Sequence, residues 1–194
     1  MRNILVIFLL TLGLGFFGLQ PSQAQVFTPL NEVPSEIIYF PSAGADQIVR
    51  VVYARPAKNN RSIFGDVVPY GEKWPAEGEQ APEIVFYNDV NIGGKKVYEG
   101  MYNMHIIPQE DNWTVVLSDL LDQWKLPGYQ SVLENADPMN PEEIVRFDVP
   151  VRQTTEPVEN FSILFEGADT GSDATMFMAW DNQVIAFPVV VEVE

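Results

Sequence analysis

The sequence predicts an all-β protein, either an antiparallel β-sandwich or a flattened barrel, built as a single domain of about nine short strands. The dominant hydrophobic period along the chain is two residues, which is typical of strands with one buried face. Clusters of Gly, Pro, Asn and Asp separate the apolar runs at short intervals. No long amphipathic helix and no internal repeat appears, so sheets must supply the core.

The first half of the chain contains apolar runs that alternate with turn residues. Gly93-Gly94-Lys95-Lys96 is a strong turn signal between two short runs. Residues 108–112 are polar, begin with a proline and predict the loop of a hairpin. The strands predicted in this half are residues 37–40, 47–54, 84–88, 90–92, 97–98, 102–107 and 113–117.

Residues 119–140 are the only stretch with helical possibilities. Pro127 and Gly128 interrupt this stretch, because proline and glycine both oppose a continuing helix. At most a turn or two near residues 131–135 is therefore expected.

The last part of the chain returns to alternating patterns. In residues 161–165 the odd positions are large and apolar, as in a strand with one buried face. Asp181-Asn182-Gln183 predicts a tight turn, and residues 189–194 are expected at a sheet edge, where alternating glutamates would discourage aggregation. The strands predicted here are residues 144–153, 161–166, 175–180 and 184–193.

The N-terminus predicts a secretory signal peptide over residues 1–24. Arg2 gives a short positive region, residues 4–19 are apolar and uncharged, and Ser22-Gln23-Ala24 offers small residues where a signal peptidase cleaves. A retained membrane anchor is the alternative, but the run is short of the ~20 residues that span a bilayer. Cleavage after Ala24 predicts a periplasmic or secreted protein without a membrane span. An extended segment over residues 25–36 then precedes the sandwich domain, residues 37–194.

The charge of the chain excludes some partners. The sequence has 27 Asp and Glu against 11 Lys and Arg, a formal net charge of −16. Such a protein repels phosphate backbones, so nucleic-acid binding is not expected. The chain contains no cysteine, which excludes both a lipoprotein anchor and a thiolate nucleophile.

The residues offer little for catalysis or metal binding. His105 is the sole histidine and no Gly-x-Ser-x-Gly motif accompanies it, so a structural or surface histidine is expected. A single histidine and no cysteine argue against zinc. Residues 167–173 offer oxygen ligands but lack the full EF-hand series, and predict a hairpin loop. We therefore expect no metal, no cofactor and no catalytic residue.

Several motifs resemble one family of exported bacterial proteins, the domain-of-unknown-function family 2911. They are IFGDVVPYGEKW over residues 63–74, NIGGKK over residues 91–96 and DQW over residues 122–124. The resemblance covers about Tyr39 to the C-terminus and implies a β-rich exported domain of the Bacteroidetes type, with no firmly assigned activity. Residues 75–81 depart from the family's Arg-x-Gly-x-Asn-Glu-Ala run, and any anion-binding role of that arginine does not carry over.

Three functions remain open on the sequence. The first is a non-enzymatic binding module for a small molecule or glycan, since exposed aromatic rings stack on sugars. The second is a hydrolase that uses loop carboxylates, and the third is a structural, envelope-associated interaction protein. Residues 63–74 are expected to form a structural brace. The candidate ligand-binding residues are Arg55, Tyr70, Trp74, Glu77, Glu79 and Trp124.

Overall fold

The computed structural model describes residues 33–42, 46–75, 80–119, 143–168 and 173–192. These residues form ten strands and no helix. The strands are β1 (Ser35–Phe40), β2 (Val49–Ala54), β3 (Glu83–Phe86), β4 (Val90–Ile92), β5 (Lys95–Val97), β6 (Gly100–Pro108), β7 (Asn112–Asp119), β8 (Glu143–Pro150), β9 (Arg152–Gly167) and β10 (Asp173–Val191).

The strands are arranged in two antiparallel sheets. The larger sheet has six strands in the order β1-β2-β3-β6-β7-β8, and the smaller has four in the order β5-β4-β10-β9. The prediction of an antiparallel all-β fold is confirmed. Because the two sheets are separate, the sandwich is the correct one of the two predicted architectures.

One hydrophobic core lies between the sheets. Along β2 the buried side chains are Val49, Val51 and Tyr53, and they alternate with partly exposed ones. Aromatic contacts join the two sheets: the rings of Tyr53 and Phe161 lie 5.8 Å apart in an edge-to-face arrangement. Edge-to-face packing suits the ring quadrupoles, so such contacts stabilise the sandwich beyond the area that they bury.

The hairpin predictions for the first half are confirmed. β6 and β7 pair in unbroken register from Tyr102–Asp119 to Pro108–Trp113, across the predicted loop. Gly93 and Gly94 form the turn between β4 and β5, with φ angles of 60° and 75°. Only these two residues make the turn, because the two lysines that follow already belong to β5.

The predicted tight turn at residues 181–183 is wrong. β10 runs unbroken through it, and its pairing with β9 shifts register on both sides of Asp181. Asp181 has a φ of 50°, so the residue adopts the left-handed conformation expected of a turn but uses it for a β-bulge. The local sequence does not distinguish a turn from a bulge, because the pairing with the long strand β9 determines which one forms.

Another prediction in the last part of the chain needs correction. Residues 144–153 are not one strand, because the chain leaves the larger sheet at Val151 and enters the smaller one as β9. At the C-terminal end of β10, Val189–Val191 pairs with β4, and the pairing with β9 stops at Val184, so this end has a strand partner on one side within the described residues, as expected of an edge position. The predicted helical tract, residues 119–140, lies almost wholly outside the described residues.

Candidate functional site

Residues 63–74 form an irregular connection that is anchored in the core. Ile63 and Val68 are fully buried, and the Val68 N–H donates to the Ile63 carbonyl at 2.8 Å. The ring of Phe64 lies 4.9 Å from that of Trp113. These contacts confirm the prediction of a structural brace.

Trp74 belongs to this brace. Its N–H donates to the Ile106 carbonyl at 2.7 Å, and the Ile106 N–H donates back at 2.9 Å, so Trp74 extends the larger sheet. Its half-buried indole lies 4.9 Å from the ring of Phe161 and 5.4 Å from that of Trp180. Phe161 and Trp180 also lie 6.0 Å from each other, so the indole is one member of a three-ring cluster that stabilises the fold.

Tyr70 is more exposed but is also held by the protein. Its hydroxyl accepts a hydrogen bond from the Gln183 side chain at 3.5 Å, and Gln183 in turn accepts one from the Trp113 indole at 2.8 Å. Gly65 has a φ of 84°, a conformation that favours glycine, and a Cβ there would lie 3.0 Å from the Tyr70 ring.

Arg55 joins the end of β2 to β9. Its guanidinium lies 3.2 Å from the Glu36 carboxylate and donates to the Phe161 carbonyl at 3.3 Å and to the Ser162 hydroxyl at 2.8 Å. Arg55 and Trp74 thus both contact Phe161, whereas Tyr70 is held elsewhere.

The remaining candidates, Glu77, Glu79 and Trp124, lie outside the described residues, and their predicted roles stay predictions. The same is true of the hydrolase hypothesis, which depends on Glu77 and Glu79.

A groove of about 540 Å³ lies where β1, an edge strand of the larger sheet, passes β9, an edge strand of the smaller one. Ile38, Tyr39 and Phe40 line one side, and residues 163–167 line the other. The ring of Phe40 packs 6.1 Å from that of Phe165. The groove is therefore bounded by two strand edges and is lined by apolar side chains such as Phe40 together with the acids Glu36 and Glu166.

Glu36, one of the residues that line the groove, is bound to Tyr53, which lies beside it. The Tyr53 hydroxyl donates to the Glu36 carboxylate at 2.5 Å and accepts from the Ile163 N–H at 3.0 Å. Burial, and after it the hydrogen bond to Glu36, raises the pKa of Tyr53 to about 12. Tyr53 is thus a fixed donor at neutral pH, and with Arg55 it covers the β9 edge.

The sequence reasoning missed this groove because no local motif marks it. Its walls come from residues about 125 positions apart in the chain, and only the order of strands in the sheets makes both β1 and β9 edges. The alternation in residues 161–165 predicted that Leu164 points away from the core, and its side chain is 46% exposed.

A second group of polar residues lies on the outer face of the larger sheet. Asn103 and Ser118 face each other across β6 and β7, and both are fully buried. Within the described residues, neither the Asn103 amide nor the Ser118 hydroxyl has a hydrogen-bond partner. His105 lies on the same face and is also buried, in agreement with a structural histidine. Buried polar atoms of this kind are commonly satisfied by an internal water.

In the described part of the chain, no three His, Asp or Glu side chains come close enough together to hold a metal ion. No helix in the same ranges is long and apolar enough to cross a bilayer.

The fold and its connections define an all-β sandwich domain whose most recognisable segment is the brace. Residues 40–189 match the sequence model of the family described as "Protein of unknown function (DUF2911)". The match covers most of the chain, and the protein belongs to this family. No curated protein and no solved structure is significantly similar to it.

Proposed function

We propose that the protein is an exported, non-enzymatic binding domain and that its ligand occupies the groove between β1 and β9. The observation that carries this proposal is the groove itself, a space of about 540 Å³ lined by apolar and acidic residues at an open corner of the sandwich. Ligand sites are typically concave and about 300–1,000 Å³ in volume. The signal peptide predicted over residues 1–24 supports export.

The chemistry of the groove favours binding over catalysis. The Glu36 carboxylate is engaged by both Arg55 and Tyr53, so it serves to orient the two side chains that bond to β9. At the rim of the groove, Tyr39 is 38% exposed with its ring on the outer face of β1, and Leu164 is 46% exposed. These side chains provide contact area for a small molecule, a glycan or an extended chain.

A thermal-shift panel tests the proposal on the mature protein. The probes are cellohexaose, chitohexaose and a blocked decapeptide of alternating lysine and valine. A probe present at about 100 times its Kd stabilises the folded protein by about 2.7 kcal/mol, which raises Tm by roughly 5–10 °C for a domain of this size.

Two matched variants locate the site. Tyr39 lines the groove, whereas Tyr98 is 67% exposed and follows β5, outside the groove. We expect Tyr39→Ala to abolish the Tm shift and Tyr98→Ala to preserve it. A shift that both variants retain, or no shift with any probe at 5 mM, would contradict the groove as the binding site.

A further inference from the structure

The outward edge of β1 carries backbone groups that the described residues leave unpaired. β1 pairs with β2 in unbroken register over six residues. The carbonyls of Pro34 and Phe40 accept from the β2 side, which places the even-numbered backbone groups toward β2. The N–H and C=O groups of Ile37 and Tyr39 therefore point away from the sheet.

The side chains of β1 extend this edge on both faces. Ile37 is 54% exposed on the outer face beside Tyr39. On the inner face Ile38 and Phe40 form the wall of the groove. A strand added to β1 would alternate its own side chains between these two faces, one row over Ile37 and Tyr39 and the other into the groove.

The edges of the smaller sheet are protected, and that of β1 is not. β5 has only three residues, of which Lys95 and Lys96 are exposed, and short lysine-bearing edges resist pairing. β9 is covered by Arg55, by Tyr53 and by backbone bonds, including one from the Phe161 N–H to the Pro56 carbonyl at 3.0 Å. β1 has no lysine, no proline and no bulge between its ends.

The charge of the protein selects the occupant of this edge. Glu36 and Glu166 both line the groove, and the chain carries a formal net charge of −16. A second copy would bring the same acids and the same net charge to the interface. A basic segment would instead be attracted, since opposite net charge accelerates association and stabilises the complex.

We infer that β1 binds a basic, extended segment of another polypeptide as an added strand, with alternate side chains of that segment in the groove. This inference rests on the proposed function and specifies its ligand. Main-chain hydrogen bonds to Ile37 and Tyr39 supply affinity, and the groove supplies selectivity for side chains.

The test measures binding of the lysine–valine decapeptide to the mature protein by calorimetry, together with hydrogen exchange of the Ile37 and Tyr39 amides. We expect binding that protects both amides at least tenfold. A peptide N-methylated at alternate residues keeps its side chains but loses the N–H groups of one edge. When the methyl groups lie on the docking edge, we expect this peptide to bind at least tenfold more weakly than the unmethylated one. We expect a glutamate–valine peptide, which has the opposite charge, to bind at least tenfold more weakly as well.

A variant of the protein provides the complementary test. Ile37→Pro removes the outward N–H and the Ile37 side chain but keeps the ladder to β2, which uses even-numbered residues, and proline is tolerated on the free side of an edge strand. We expect Ile37→Pro to lower affinity at least tenfold and Ile37→Val to leave it within twofold. If Ile37→Pro still unfolds cooperatively, its loss of affinity is not a folding defect. If the variant does not fold, the comparison of methylated and unmethylated peptides tests strand addition instead.

The outcomes separate the two proposals. Equal binding of the methylated and unmethylated peptides, or binding of a hexaose with no peptide binding, overturns strand addition and leaves the groove as a binding site. A concentration-dependent dimer in sedimentation that Ile37→Pro abolishes identifies a second copy as the occupant and also overturns the inference. Binding that Tyr39→Ala does not change contradicts the proposed function itself.

Discussion

Replacing Tyr53 with phenylalanine removes one oxygen atom that links the two sheets. The Tyr53 hydroxyl donates to the Glu36 carboxylate at 2.5 Å, accepts from the Ile163 N–H at 3.0 Å and lies 3.3 Å from the Ile163 carbonyl. The ring stays in Tyr53→Phe, so its edge-to-face contact with Phe161 at 5.8 Å is retained. The variant therefore isolates the hydrogen bonds from the packing.

The magnitude follows from what each partner loses. The Ile163 N–H becomes a buried donor without a partner, which costs about 1–3 kcal/mol. Glu36 is partly exposed and keeps Arg55 at 3.2 Å, so the loss of its second partner costs less. We expect a total decrease of about 2–4 kcal/mol in the free energy of unfolding.

Urea denaturation of the mature protein measures this difference. Tyr98→Phe is the control, because Tyr98 is 67% exposed, and we expect a change within about 0.5 kcal/mol there. A Tyr53→Phe variant that is as stable as Tyr98→Phe would refute the argument that the hydroxyl joins β9 to the larger sheet.

The same variant tests the pH dependence. The pKa of Tyr53 is raised from 10.0 to about 12, foremost by burial and then by the bond to Glu36. A group whose pKa is higher in the folded state contributes stability that is complete below its unfolded pKa and lost as the pH rises through the folded value. Between pH 10 and pH 12 the wild type should therefore lose its advantage over Tyr53→Phe, and a constant difference across that range would contradict the shifted pKa.

Further predictions concern the turn between β4 and β5 and the bulge in β10. A methyl group at Gly93 would lie 2.3 Å from the Phe147 ring, whereas one at Gly94 meets nothing, so Gly93→Ala should cost at least ~2 kcal/mol more than Gly94→Ala in urea denaturation. Lys58 and Asp181 form a mostly buried ion pair, so Asp181→Asn should cost about 2–4 kcal/mol. Adding Lys58→Met to Asp181→Asn should recover part of the lost stability. If the two substitutions change the free energy of unfolding in a strictly additive way, that result would argue against a stabilising ion pair.

The elements predicted best are those whose neighbours in space are also neighbours in sequence. The β6–β7 hairpin follows from two alternating runs around one loop, and the β4–β5 turn follows from Gly93 and Gly94, which both need a positive φ. Such elements are encoded locally. The bulge at Asp181 was misjudged because the same left-handed residue suits a turn or a bulge, and the long partner strand β9 determines which one forms.

The surroundings of the candidate residues are harder to derive from the sequence, for a related reason. An aromatic residue in an irregular segment is compatible with an exposed ring or a packed one, and Trp74 packs on Phe161 and Trp180. Irregular backbone next to a sheet can be as well packed as a strand when its N–H and C=O groups bond to that sheet, as those of Trp74 do to Ile106. Composition alone does not reveal such bonding.

The brace also explains why the unpaired edge of β1 is notable. β3 begins at Glu83, opposite Asn103, which would leave the rest of β6 without a strand partner on that side. Trp74 bonds to Ile106 there, and the Gly71 N–H donates to the Pro108 carbonyl at 2.8 Å, so the brace completes the sheet. The gap beside β6 is thus covered by an irregular segment, and the edge of β9 is covered by side chains. The outward edge of β1 has no comparable cover from the described residues. That contrast is the physical reason to look for the ligand at β1 rather than at the aromatic residues of the brace.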